Sequence, residues 1–205
     1  MRCLLFISCC FFLQGCSSLY NNLQKTQTDV HCLEKFKPEF RSSLYSAKID
    51  VVGKHLSGLV VIKKMPDSST RIVFSNEMGF TFFDFEFQEN GDFKVHSIIK
   101  QMNKKSVIKT LHKDFELLLM QNLATKTSYT LKDSTLVYTA FPQTKGFYYY
   151  ITNPDCSELL KIQRASRKKA VVEAIMQDYV KGVPDTIGIS HKNFQFDISL
   201  KRLQR

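Results

Sequence analysis

Hydrophobic and polar residues alternate with a period of two through most of the chain, which predicts strands rather than helices. The clearest run is near the end. There Phe194, Phe196, Ile198 and Leu200 alternate with Gln195, Asp197, Ser199 and Lys201, the pattern of a half-buried antiparallel strand. Just before it, Ile187, Ile189 and His191 alternate with Gly188 and Ser190, with His191 expected as an edge residue. Earlier strands are predicted over 44–53, 59–65, 71–75, 80–87 and 93–99. Turns fall at His55-Leu56-Ser57-Gly58, Pro66-Asp67-Ser68-Ser69, Met78-Gly79 and Asn90-Gly91. Within 80–87, Phe83, Phe85 and Phe87 share one face, while Asp84, Glu86 and Phe82 share the other. Between 103 and 122 the period becomes helical. Val107, Ile108, Leu111, Phe115, Leu118 and Leu119 form a broad apolar stripe, with Asn103 placed to cap it. Strands resume over 128–131, 136–141, 147–152 and 159–164. Residues 170–180 fit either a helix ended by Gly182 and Pro184 or a two-sided buried strand.

This gives eleven or twelve strands and one substantial helix, a mainly β chain with no internal repeat or second-domain boundary. A single antiparallel sheet of that size must curl, close or split to cover its apolar face. The expectation is one curled antiparallel sheet, an unclosed β-barrel of about eleven strands, with the helix as lid or plug over an apolar hollow. The candidates to line that hollow are Phe83, Phe85, Phe87, Leu111, Phe115, Phe194, Phe196 and Ile198. Any one of them alone is better explained as core. Around an unfilled space they suit an acyl chain.

The chain opens differently. Met1-Arg2 is followed by an apolar run from Cys3 to Leu13, interrupted only by Ser8. Eleven residues are too few to cross a bilayer, which takes about 20, but they fit the core of a secretory signal. Leu13-Gln14-Gly15-Cys16 then resembles the lipobox of bacterial lipoproteins, with an apolar residue at −3, a small one at −1 and the acceptor cysteine at +1. This divides the chain into a signal peptide over 1–15, a lipidated Cys16 with tether and lead-in segment over 16–43, and a β-rich domain over 44–205. Two or more acyl chains on Cys16 would hold the protein firmly on a membrane. Ser17, rather than Asp, after the cysteine favours the outer membrane.

Removing fifteen of 205 residues leaves 190, enough for one domain. Only Arg2 among charged residues would be lost, taking the net charge from +10 to +9. A basic exported protein suits anionic lipid headgroups better than nucleic acid, for which no recognition motif is present. Cys3, Cys9 and Cys10 leave with the signal, so Cys32 and Cys156 remain. They either pair in an oxidising compartment or stay two separate buried thiols. His31, His55, His96, His112 and His191 are scattered without metal-ligand spacing, and no nucleophile elbow or phosphate-binding loop occurs. Asp84 and Glu86 read as a solvated strand face. The sequence offers no catalytic residues, no metal ligands and no cofactor site, and does not point to an enzyme.

Three runs carry a family likeness. Leu56-Ser57-Gly58-Leu59-Val60-Val61-Ile62-Lys63-Lys64, Arg71-Ile72-Val73-Phe74-Ser75 and Met78-Gly79-Phe80-Thr81-Phe82-Phe83-Asp84-Phe85 resemble the LolA/LolB lipoprotein-carrier superfamily. The closing pair, Pro184-Asp185-Thr186-Ile187-Gly188-Ile189 and Phe194-Gln195-Phe196-Asp197-Ile198-Ser199-Leu200, is similar too. The resemblance covers roughly 44–203 and implies an unclosed barrel whose cavity holds lipoprotein acyl chains. With Cys16 it points to the LolB-like branch, anchored in the outer membrane and facing the periplasm. That branch accepts lipoproteins from a LolA-like carrier and inserts them into the membrane. LolB proteins usually carry a Trp-rich N-terminal helix, whereas this chain has no Trp. The other readings are a structural or assembly lipoprotein binding a protein partner, and a hydrolase on a β-scaffold.

Overall fold

The computed structural model describes residues 20–51, 53–124 and 127–203; Cys16 and the signal segment lie outside them. A short strand, β1 (Gln24–Thr26), precedes a 3-10 helix at Val30–Phe36. Asp29 caps that helix by accepting the His31 N–H at 2.9 Å. Five strands then follow as successive hairpins: β2 (Ser42–Val51), β3 (Lys54–Lys64), β4 (Thr70–Ser75), β5 (Thr81–Phe87) and β6 (Phe93–Ile98). Helix α1 (Lys105–Leu118) comes next, with a 3-10 turn at Gln121–Ala124. After it come β7 (Tyr129–Lys132), β8 (Val137–Gln143), β9 (Gly146–Thr152) and β10 (Leu159–Ala165). The chain ends on β11 (Ala170–Val180), β12 (Val183–His191) and β13 (Phe196–Arg202).

Among the described residues, thirteen strands form one antiparallel sheet in the order β1-β7-β8-β9-β10-β11-β12-β13-β2-β3-β4-β5-β6. The sheet is mainly β and unclosed, as the alternation predicts. It pairs β13 with β2, so the last hairpin welds the two halves together. The accumulated twist of so many strands curls the sheet, and inward side chains of both halves share one core. The topology also explains the helix. β6 is one edge of the sheet, and β7 lies one strand from the other edge. The segment joining them must pass across the open side of the curl, and its apolar stripe of Leu111, Phe115 and Leu118 turns into the interior.

Several expectations are corrected. The thirteenth strand is β1, in the stretch read as tether and lead-in segment; its partner β7 lies about a hundred residues away, so no local pattern marks it. Residues 170–180 are strand β11, paired on both sides, which settles the helix alternative. His55 to Gly58 are not a turn but lie inside β3, and the reversal is at Gly53. Gly58 is instead a close approach: a Cβ there would sit 2.2 Å from the Ser75 carbonyl oxygen. Asn103 does not cap α1; the cap position is Lys104, without a side-chain bond. Finally, β13 starts at Phe196, leaving Phe194 in the preceding bend.

Candidate functional site

Seven of the eight proposed lining residues are buried in one continuous core. Phe83, Phe85 and Phe87 stand in a row on the inner face of β5, and Leu111 and Phe115 of α1 press onto the same core. Phe83 stacks on Phe85 with centroids 4.5 Å apart, and Phe115 meets Phe83 at 5.8 Å and Phe87 at 6.3 Å. Phe196 and Ile198 join the core from β13. Phe194 does not: it is 45% exposed and caps the rim, its ring 4.8 Å from His191 and 6.1 Å from Phe196. In this conformation α1 occupies the expected hollow.

Next to that row, a cleft of about 540 Å³ opens at the C-terminal end of α1. Phe40, Phe87 and Leu119 line it, while Lys37, Arg41 and Glu89 bring charge to it. Apolar walls with polar groups alongside suit the mouth of an apolar site.

A polar contact fastens the helix to the sheet. Asp114 sits in the apolar stripe of α1 and is completely buried. Its Oδ2 is 2.8 Å from Nε2 of His191, whose side chain is equally buried. Its Oδ1 faces Arg164 of β10 at 3.6 Å, an ion-pair distance rather than a hydrogen bond. His191 is therefore not an edge residue. β12 lies between β11 and β13, and the imidazole points inward to hold the helix.

Asp84 and Glu86 do lie opposite the phenylalanine row, but they are not a free solvated face. Arg71 donates to Asp84 through Nε at 2.8 Å and also through Nη2. Glu86 pairs with His96 at 2.6 Å, and that contact holds its carboxyl below the usual range. Both acids are engaged across the outer surface of β4, β5 and β6. Among the described residues, no three of His, Cys, Asp and Glu converge as metal ligands.

Three features escaped the sequence reading. At the β4–β5 turn, Met78 is 93% and Phe80 58% exposed. Asn76 Oδ1 accepts both of their N–H groups at 3.0 and 2.8 Å, and Gly79 takes φ +84°, so the turn thrusts both side chains outward. The signal was present, since an Asn-x-x-Gly turn carrying Met and Phe presents apolar groups where turns are normally polar. Asp114 had its signal too, as the one charge within the helical stripe. Tyr20 had none. It stacks on Tyr149 at 4.4 Å and donates its hydroxyl to Gln163 at 2.9 Å, on the outer face of the sheet. Cys32 and Cys156, left open above, are joined by a disulfide with Cα atoms 6.4 Å apart.

His112 reports on the seating of α1. Its ring stacks on Phe93 of edge strand β6 at 4.1 Å. Burial holds its pKa below the ordinary histidine value; Glu116 opposes this and Lys113 adds to it. The unfolded chain therefore takes up a proton near pH 6.5 that the folded chain resists. Stability present above that pH is lost as pH falls towards the lower folded value. Thermal unfolding followed from pH 7.5 to 5 is expected to show a falling midpoint, and His112→Phe to flatten the slope in that window. An unchanged slope would remove His112 from the account.

No protein-family model matches the chain, and no curated protein sequence matches it either. Solved structures do. A LolA superfamily protein from Nitrosomonas europaea aligns over 87% of this chain and 93% of its own, with a TM-score of 0.54 at 11% identity. A domain from Vibrio parahaemolyticus named for outer-membrane lipoprotein sorting aligns over 85% of this chain and 90% of its own, at 0.52 and 8%. At such identities the likeness is one of fold, and it extends over nearly the whole described chain.

Proposed function

From the LolA-type fold, we propose that this protein is a membrane-anchored lipoprotein that binds acyl chains beneath α1 and passes lipoproteins into the outer membrane. One observation carries the reading: a continuous series of ring contacts runs from the exposed tip into the interior. Phe80 meets Phe82 at 5.7 Å, Phe82 stacks on Phe74 at 4.7 Å, and Phe74 reaches Phe83 at 5.7 Å, where the buried row begins. An acyl chain displaced from the β5 row has an aromatic track towards Met78, and Met78 stands ready to enter a bilayer. No covalent chemistry is needed, because the acyl chain passes from one apolar environment to another, and each CH₂ left in water on the way would cost about 0.8 kcal/mol.

The anchor on Cys16 fits this geometry. Tyr20 is pinned to the outer face only four residues beyond it, a span of about 14 Å at full extension. The domain would then ride close to the membrane, facing the periplasm, and receive cargo from a soluble LolA-like carrier. Among the described residues no helix is long and apolar enough to cross a membrane.

The test is transfer of a labelled lipoprotein from such a carrier to vesicles. Met78→Glu is expected to leave folding and cargo acceptance intact, since the site is solvent-exposed. Insertion should fall about tenfold or more, the equivalent of losing the ~1.5–3 kcal/mol that burying a Met supplies. Undiminished insertion would overturn the role of the tip. The interior filled by α1 also favours a second reading, an assembly lipoprotein that grips a protein partner through the Met78–Phe80 patch. Native mass spectrometry separates the two: co-purified acyl ligand belongs to the first, and its absence together with failed cargo acceptance to the second.

A further inference from the structure

A separate cleft of about 570 Å³ lies between α1 and the β8–β9 hairpin. Lys109 and Lys113, one helical turn apart, approach it from α1, Lys145 from the hairpin turn, and Arg164 from β10. Three elements thus direct four cations at one concave space, and no acidic side chain lines it. Two of the cations are already engaged: Glu116 holds Lys113 at 2.5 Å, and Asp114 faces Arg164 at 3.6 Å. Lys109 and Lys145 have no ion-pair partner among the described residues, and both are exposed. The remaining polar lining includes the hydroxyls of Ser106 and Thr110 on the same helix face.

We propose that this cleft binds a phosphoester. The charged lining consists of donors without acceptors, and phosphate is an acceptor-only group with charge to match. Clustered cations in a concavity raise the local anion concentration, which scattered lysines on an open surface do not. The volume exceeds that of one phosphate group, and the aromatic rings of Phe147 and Tyr148 also line the cleft, giving the ester's organic part a surface to rest on. Neither the tip nor the β5 row lines the cleft, so the proposal does not rest on acyl chains being carried. The phosphoester could come from a phospholipid headgroup or from a soluble metabolite; recognition is the same for both.

The experiment uses the full lipidated chain in non-ionic detergent, labelled with nitrogen-15 and titrated with three probes. These are inorganic phosphate, glycerol 3-phosphate, and dihexanoyl phosphatidylglycerol below its micellar concentration. Saturable shifts of the Thr144, Lys145 and Lys109 amides are expected with glycerol 3-phosphate and the short lipid. The Lys109→Gln/Lys145→Gln variant should weaken binding about tenfold, and salt should weaken it too. Tighter binding of the short lipid than of glycerol 3-phosphate assigns the site to headgroups; equal binding assigns it to soluble phosphoesters. No saturable shift with any probe, or equal affinity in the double variant with its thermal midpoint intact, overturns the proposal.

Discussion

Replacing Asp114 with Ala is expected to lower the unfolding free energy by about 3–5 kcal/mol, the range found when one partner of a buried pair is removed. The size follows from what is stranded. The His191 imidazole loses its one side-chain hydrogen-bond partner among the described residues while it stays fully buried, and Arg164 loses its facing carboxylate. Asp114 is also the buried charge by which α1 reaches β10 and β12, so the loss falls on the seating of the helix. The double variant Asp114→Leu/His191→Leu should recover most of the deficit, because apolar residues of similar volume in place of a buried pair are often neutral or stabilising. Denaturant unfolding of the two singles and the double gives the coupling energy directly. If the singles lose less than about 1 kcal/mol each, the pair is not the fastening. The double variant has a functional readout too. A helix held only by apolar contacts should give way to an acyl chain more easily, raising ligand uptake while stability is kept.

The second large effect belongs to the disulfide. Cys32 and Cys156 are 124 positions apart, and cross-linking a loop of that length stabilises by about 5 kcal/mol through restriction of the unfolded chain. Against a total of about 5–15 kcal/mol for a domain, that is a large share. The bond ties the 3-10 helix at Val30–Phe36 to the β9–β10 turn, alongside buried Leu33 and the Tyr179 hydroxyl donating to the Phe36 carbonyl at 2.8 Å. Cys32→Ser/Cys156→Ser is expected to lower the denaturant midpoint steeply and to make the stability indifferent to reductant. A loss under about 1 kcal/mol would mean the unfolded chain is already restrained without the bond.

Much of the sheet was legible because its strands advertise themselves. The alternation at Phe196 to Leu200 and the Phe83-Phe85-Phe87 row each place every second residue inward, and the structure keeps those faces. The helical stripe around Leu111 and Phe115 was equally plain. What the pattern misplaced were features decided by pairing at a distance. β1 is three polar residues made a strand only by β7, and the turn read at His55 to Gly58 gave way to the long β2–β3 ladder. Residues 170–180 had no single local answer until β10 and β12 flanked them.

The candidate site divides in the same way. Which residues are apolar and on which face was written in the chain, so the lining set was nearly all found inside. Whether they enclose a hollow was not, since that depends on how deeply α1 sits, a depth fixed by Asp114, His191 and Arg164 from three separate elements. The exposure of Met78 and the convergence of Lys109, Lys113, Lys145 and Arg164 likewise arise only when turns and strands far apart in sequence meet. By itself, then, the sequence determined a curled, unclosed antiparallel sheet with one inward helix, because periodicity is a local property that side-chain burial enforces residue by residue. The tertiary structure alone decided what fills that curl and what stands outside it, because those depend on long-range register and on a few buried polar contacts that no local pattern encodes.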